Sequence, residues 1–156
     1  PFLLAARTAD AEFMRLLVEL GADPLLPNND NSTPLMVAAG LGTSSPGEDP
    51  GTEPEVVEAV ALAIELGGDL NAVDDNGETV MHGAAYKHFP AVVEFLYEAG
   101  AESEVWNREN RRGWTPLHIV EGGIHIGMNI LRSAPTAAAI REVMARAGVE
   151  PAPQPR

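Results

Sequence analysis

The chain repeats itself, and that constrains its fold more than any bulk property. Thr33–Ala39 (Thr-Pro-Leu-Met-Val-Ala-Ala), Thr79–Ala85 (Thr-Val-Met-His-Gly-Ala-Ala) and Thr115–Glu121 (Thr-Pro-Leu-His-Ile-Val-Glu) align with one another. Pro1–Ala6 starts in the same register without its Thr. Each segment leads into an amphipathic stretch that ends on Gly: Leu20-Gly21-Ala22-Asp23, Leu66-Gly67-Gly68-Asp69, Ala99-Gly100-Ala101-Glu102 and Ala147-Gly148-Val149. A unit this short cannot bury its apolar side alone. It is stable only when stacked on its neighbours, so the pattern predicts a solenoid.

The local signals agree. Phe13, Leu16, Leu17 and Leu20 fall at helical spacing, as do Val92, Val93, Phe95, Leu96 and Ala99, which puts each set on one side of a helix. Thr33 and Thr115 precede Pro34 and Pro116, a cap followed by a residue pre-set for the first helical position. Gly21, Gly67, Gly100 and Gly148 stand where a helix end needs a left-handed residue. Asn28-Asn29-Asp30-Asn31 and Asp74-Asp75-Asn76-Gly77 have turn chemistry, with Asn31 in place of the expected Gly; Asn tolerates positive φ better than most residues.

The Thr-Pro-Leu-His-x-Ala-Ala signature and the Gly-Ala-Asp ending, recurring in order, resemble the ankyrin repeat family over nearly the whole chain. The resemblance implies an all-α solenoid of helix–loop–helix units with projecting hairpin turns. Four repeats are expected, at about 1–27, 28–73, 74–106 and 107–150, followed by a proline-rich tail at 151–156. It also implies that a protein partner lies on the concave surface of turns and inner helices. On that basis the candidate contacts are Asp30, Asp75, Tyr86, Lys87, His88, Trp106, Arg108 and Arg111. In the family the signature His, here His82 and His118, ties neighbouring turns together by hydrogen bonds.

Departures from the pattern carry information. The family period is about 33 residues, whereas 46 positions separate Thr33 from Thr79 and 36 separate Thr79 from Thr115. The excess in the second unit is the acidic loop Gly42–Pro54, with Glu48, Asp49 and Glu53 and no basic residue. It reads either as a tolerated surface insertion or as a specificity loop over the binding face. In the last unit Val120-Glu121 replaces Ala-Ala, and an apolar stretch broken by glycine runs from Gly122 to Pro135. That stretch is expected to fold back as a cap, with the second helix resuming around Thr136. The start at Pro1 predicts that further repeats precede this segment and that its first face is partly uncapped. Trp106 and Trp114 flank the turn that holds Arg108, Arg111 and Arg112. Trp106 is expected to be exposed, because Trp and Arg dominate interface hot spots.

Composition narrows the function. With 23 acidic and 10 basic side chains the net charge is -13. Nucleic acid and anionic membrane surfaces both need Lys and Arg, so the charge argues against them. It favours a basic protein partner or a cation, and it also keeps the chain soluble. The absence of cysteine excludes disulfides, thiolate metal sites and a cysteine nucleophile. The four histidines sit in separate units with no zinc spacing, Ser44 and Ser45 have no nucleophile-elbow context, and no phosphate-cradling Gly motif is present. The reading is therefore a binding module with no cofactor and no metal. A structural spacer or assembly segment is the alternative, and a hydrolase or small-molecule site under residues 43–54 is the lesser one. The partner, the compartment and the oligomeric state are not legible.

Overall fold

The computed structural model describes residues 1–126 and 128–152; Gly127 and residues 153–156 of the expected tail lie outside the described residues. Helices come in pairs: α1 (Phe2–Arg7) with α2 (Ala11–Glu19), α3 (Pro34–Ala39) with α4 (Glu53–Glu65), and α5 (Val80–Lys87) with α6 (Pro90–Ala99). A short helical turn, α7 (Ser103–Trp106), precedes the last pair, α8 (Pro116–His118) and α9 (Ala134–Ala147). The first helices stack in the order α1, α3, α5, α8 and the second in the order α2, α4, α6, α9. The result is the expected all-α solenoid.

Caps set the helix starts. The Thr33 and Thr115 hydroxyls each accept the amide three residues on, at 3.2 Å, ahead of Pro34 and Pro116. Asp10 caps α2 by accepting the Phe13 amide at 2.9 Å. Thr52 donates its amide to Glu55 at 2.7 Å, so α4 begins at Glu53 and the inserted loop ends at Thr52 rather than at Pro54. Small residues then let the rows close up. A Cβ on Gly83 would lie 2.9 Å from the Leu41 nitrogen and 3.0 Å from the Met36 oxygen, so α5 meets the end of α3 backbone to backbone.

Two regions depart from regular pairing. Ile119–Gly123 continue α8 as a wider π-helical turn, which breaks where Gly122 takes φ +135°. Strands β1 (Ile124–Ile126) and β2 (Asn129–Leu131) then pair antiparallel, with Ile124 opposite Leu131. The Ser133 amide returns to the Val120 carbonyl at 2.9 Å. The Ser133 hydroxyl accepts from Thr136, starting α9 at Ala134, two residues before the expected Thr136. The glycine-broken stretch is thus a hairpin packed on the π-turn. At the other end the apolar stripe of α2 divides. Met14 and Leu17 are buried, while Phe13, Leu16 (47% exposed) and Leu20 (74%) join Leu4 on an open face. No helix among the described residues is long and apolar enough to cross a membrane.

Candidate interaction groove

Three turns of one design line the side on which the first helices lie. In each, an Asx side chain accepts two backbone amides, from the second and the fourth residue on. Asn28 takes Asp30 and Ser32, both at 2.9 Å; Asp74 takes Asn76 at 2.8 Å and Glu78 at 2.9 Å; Asn110 takes Arg112 at 2.9 Å and Trp114 at 3.0 Å. Asn31, Gly77 and Gly113 occupy the same left-handed position, at φ +60°, +74° and +75°. The Asn31 substitution is thereby accommodated. Turns are tied to one another through the backbone, Asp75 N–H to Asp30 O at 2.9 Å and Arg111 N–H to Asn76 O at 2.8 Å. Ser32 Oγ adds a bond to Asp74 at 2.9 Å.

His82 completes this scaffold. Its Nδ1 accepts the Thr79 amide at 3.3 Å, and its Nε2–H donates to the Trp114 carbonyl at 3.2 Å in the next turn. Burial drives its pKa down to about 4, against the pull of that carbonyl, so the ring is neutral around pH 7. This is the turn-tying role the resemblance implies. His118 instead stacks its ring on Trp114, with centroids 6.2 Å apart.

Between the turns and the loop after α3 lies a cavity of about 550 Å³. Asp30, Asp74, Glu78, Tyr86, Arg111 and Arg112 bring the polar and charged groups to it. Glu78 is its least expected member. It occupies the position of Ser32 and Trp114 in the other turns, yet it is only 8% exposed. Its Oε1 accepts from the Tyr86 hydroxyl at 3.0 Å and from Asn110 Nδ2 at 2.9 Å, while its Oε2 has no hydrogen-bond partner. Burial pushes this carboxyl up to about 7, helped by the Asp74 charge and opposed by the Tyr86 and Asn110 hydrogen bonds and by Arg112.

The expected contacts divide. Asp30, Asp75 and Arg111 are exposed on the turns; Asp75 accepts from Asn31 Nδ2 at 3.0 Å, and Arg111 reaches Asn76. Arg108 is exposed but does not line the cavity, and His88 is half-buried at the left-handed end of α5. Tyr86 lines the cavity, with its hydroxyl committed to Glu78. Lys87, expected on the surface, is only 3% exposed; its Nζ points at the Pro50 carbonyl and over the Phe89 ring. Trp106, also expected to be exposed, is 1% exposed: α7 turns its indole into the interior, where α7 packs on α5. Both corrections have one cause, backbone direction at a helix end, which side-chain type does not reveal. Glu78 was missed because its burial depends on Tyr86 and Asn110, 8 and 32 residues further on. Its one local sign is a carboxylate directly before the capping Thr79.

The acidic loop is pinned down. Asp49 accepts from Arg7 Nε at 2.9 Å and from the Thr43 hydroxyl at 2.7 Å. Burial opposes its ionisation, but these two bonds and the Arg7 and Lys87 charges hold its carboxyl below the ordinary value. Glu48 accepts the Ser44 and Ser45 amides, and Glu53 accepts the Ala91 amide at 2.6 Å. Of the groups weighed for hydrolysis, the Glu53 carboxylate accepts the Ala91 amide, and Ser44 bonds to Glu48 through its backbone amide, not its hydroxyl.

No family model matches the chain. Among curated proteins it is 40% identical over 50 residues to an ankyrin repeat protein of Fowlpox virus, a match covering 32% of this chain and 12% of the viral protein. It is 29% identical over 113 residues to NF-kappa-B inhibitor delta of Mus musculus, covering 72% of this chain and 29% of the inhibitor. A protein of Arabidopsis thaliana named as an E3 ubiquitin-protein ligase is 29% identical over 126 residues, covering 74% of this chain and 25% of that protein. The chain spans less than a third of the length of each of these relatives. The repeat signature, the two rows of stacked helices and these relatives agree: the chain is similar to ankyrin repeat proteins.

Proposed function

We propose that the chain is a protein-interaction module that holds a partner across its turn-lined groove. One observation carries this reading: three turns with the same hydrogen-bonded skeleton present different exposed side chains, Asp30, Asp75, Arg111 and Arg112, and Asp30, Arg111 and Arg112 among them line one cavity. A rigid scaffold bearing variable side chains suits recognition. The relatives support it, one of them being named for inhibiting another protein. The acidic balance favours a basic partner. The role is binding rather than catalysis, with the 42–52 loop serving as a wall.

A photo-crosslinking amino acid at Arg111, compared with one at Glu142 on the exposed side of α9, tests this. A discrete protein captured from native extract at position 111 and not at 142 supports the reading. Equal capture at both positions, or capture at 142 alone, contradicts it.

The open face of Leu4, Phe13, Leu16 and Leu20 favours a second role, as an assembly segment stacked on a further helix pair. Sedimentation velocity of the chain with Leu16→Lys and Leu20→Lys checks it. Self-association that the pair of charges abolishes supports assembly; a monomer before and after the change does not.

A further inference from the structure

The groove contains an acid left unfinished by the fold. Glu78 lines the cavity; its Oε2 is buried beneath that surface without a hydrogen-bond partner, while Oε1 of the same carboxyl is doubly bonded. Among the described residues no Lys or Arg forms an ion pair with Glu78, Asp74 or Asp30. A buried polar atom without a partner costs on the order of 1–3 kcal/mol, so a donor supplied from outside would be stabilising there.

We propose that this cavity receives a lysine or arginine side chain of the bound protein, whose N–H donors complete Glu78. Three features select a cation over an anion. Asp30 and Asp74 stand beside Glu78 in the same wall. The two arginines that also line the cavity are exposed and turned elsewhere, Arg111 toward Asn76 and Arg112 over the Trp114 ring at 5.3 Å. An entering phosphate or carboxylate would face three acidic side chains, Asp30, Asp74 and Glu78. A guanidinium or ammonium would meet an acceptor, and a desolvated pair of that kind is a strong, short-range anchor. The cavity volume, about 550 Å³, falls in the range of built ligand sites.

This inference rests on the interaction-module reading, but its probe is independent of any partner. The tripeptides acetyl-Gly-Arg-Gly-amide and acetyl-Gly-Lys-Gly-amide are titrated into the isotope-labelled chain by NMR, with acetyl-Gly-Gln-Gly-amide as the neutral control. The expected result is saturable shifts centred on Glu78, Asn110 and Trp114 with a basic peptide and none with the neutral one. Glu78→Gln then weakens binding tenfold or more, while Glu142→Gln, the same charge change on the exposed side of α9, weakens it less than twofold. Equal weakening by both variants, shifts spread over the acidic surface, or the same shifts with the neutral peptide overturn the proposal. The wild-type shift map decides even if Glu78→Gln folds poorly. Failure of the peptides with successful crosslinking at position 111 removes the basic anchor and leaves the module.

Discussion

Two acidic regions of this molecule look alike in sequence and behave in opposite ways. In the 42–52 loop, Asp49 is bonded through both oxygens, and Glu48 is closed off by backbone amides. In the middle turn, Glu78 is more deeply buried and yet has one oxygen bare. Charge alone left the loop as either a tolerated insertion or a specificity loop. The loop's acids hold the loop down, whereas the turn's acid uses only Oε1, on Tyr86 and Asn110, and leaves Oε2 unbonded. The two acids, Asp49 and Glu78, therefore differ in unused bonding capacity, which local charge density does not reveal.

The sharpest way to break this contrast is to remove the acid that builds the turn. Asp74→Ala deletes three hydrogen bonds, from the Asn76 and Glu78 amides and the Ser32 hydroxyl. At about 1 kcal/mol each, more with backbone donors left buried, the loss should reach about 3–4 kcal/mol in denaturant unfolding. A loss below about 1 kcal/mol would mean that the turn skeleton is not what places Glu78.

Next in size is a pH effect of opposite sign. The Glu78 carboxyl titrates near 7 in the folded chain and near 4.5 unfolded, so folding takes up a proton between those values. Its contribution to stability is full below about pH 4.5 and is lost as pH rises through 7. Glu78→Gln should therefore gain up to about 3 kcal/mol over the wild type at pH 8 and little at pH 4.5. His82 runs the other way: folded near 4 and unfolded near 6.5, it contributes fully above 6.5 and is lost as pH falls through 4. The two trends offset one another between pH 4.5 and 6.5. The urea midpoint of the wild type should be nearly flat there, and that of Glu78→Gln should rise with pH.

The loop acid gives a smaller change. Asp49→Ala removes bonds from Arg7 and Thr43 and should cost about 1–2 kcal/mol at neutral pH, since Arg7 remains part-exposed. Because the folded carboxyl is held below its ordinary value, the wild type keeps this advantage at neutral pH and loses it as pH falls below the usual carboxylate range. Smallest of all, Arg15→Ala breaks an exposed pair with Glu58 and should change stability by less than about 0.5 kcal/mol.

The repeat skeleton was legible because it is written locally. Thr33 and Thr115 cap the helices that they precede, Asn31 takes the left-handed place of a glycine, and His82 lies three residues from Thr79, whose amide it accepts. The groove was legible only in outline. Asp30, Asp75 and Arg111 lie on the turns as placed, but Lys87 and Trp106 turn inward at helix ends. Glu78 acquires its character only when Asn110 arrives from the next turn. The division of the α2 stripe into Met14 and Leu17 inside and Phe13, Leu16 and Leu20 outside depends likewise on which neighbour is stacked there.

The most direct test is the titration of the Glu78 side-chain carboxyl by carbon-detected NMR in the folded chain. The account predicts a midpoint near 7, moving downward when a basic tripeptide occupies the groove. A midpoint near the ordinary 4.5, unmoved by the peptide, would mean that this oxygen is solvated and satisfied, and that the contrast between the two acidic regions does not exist.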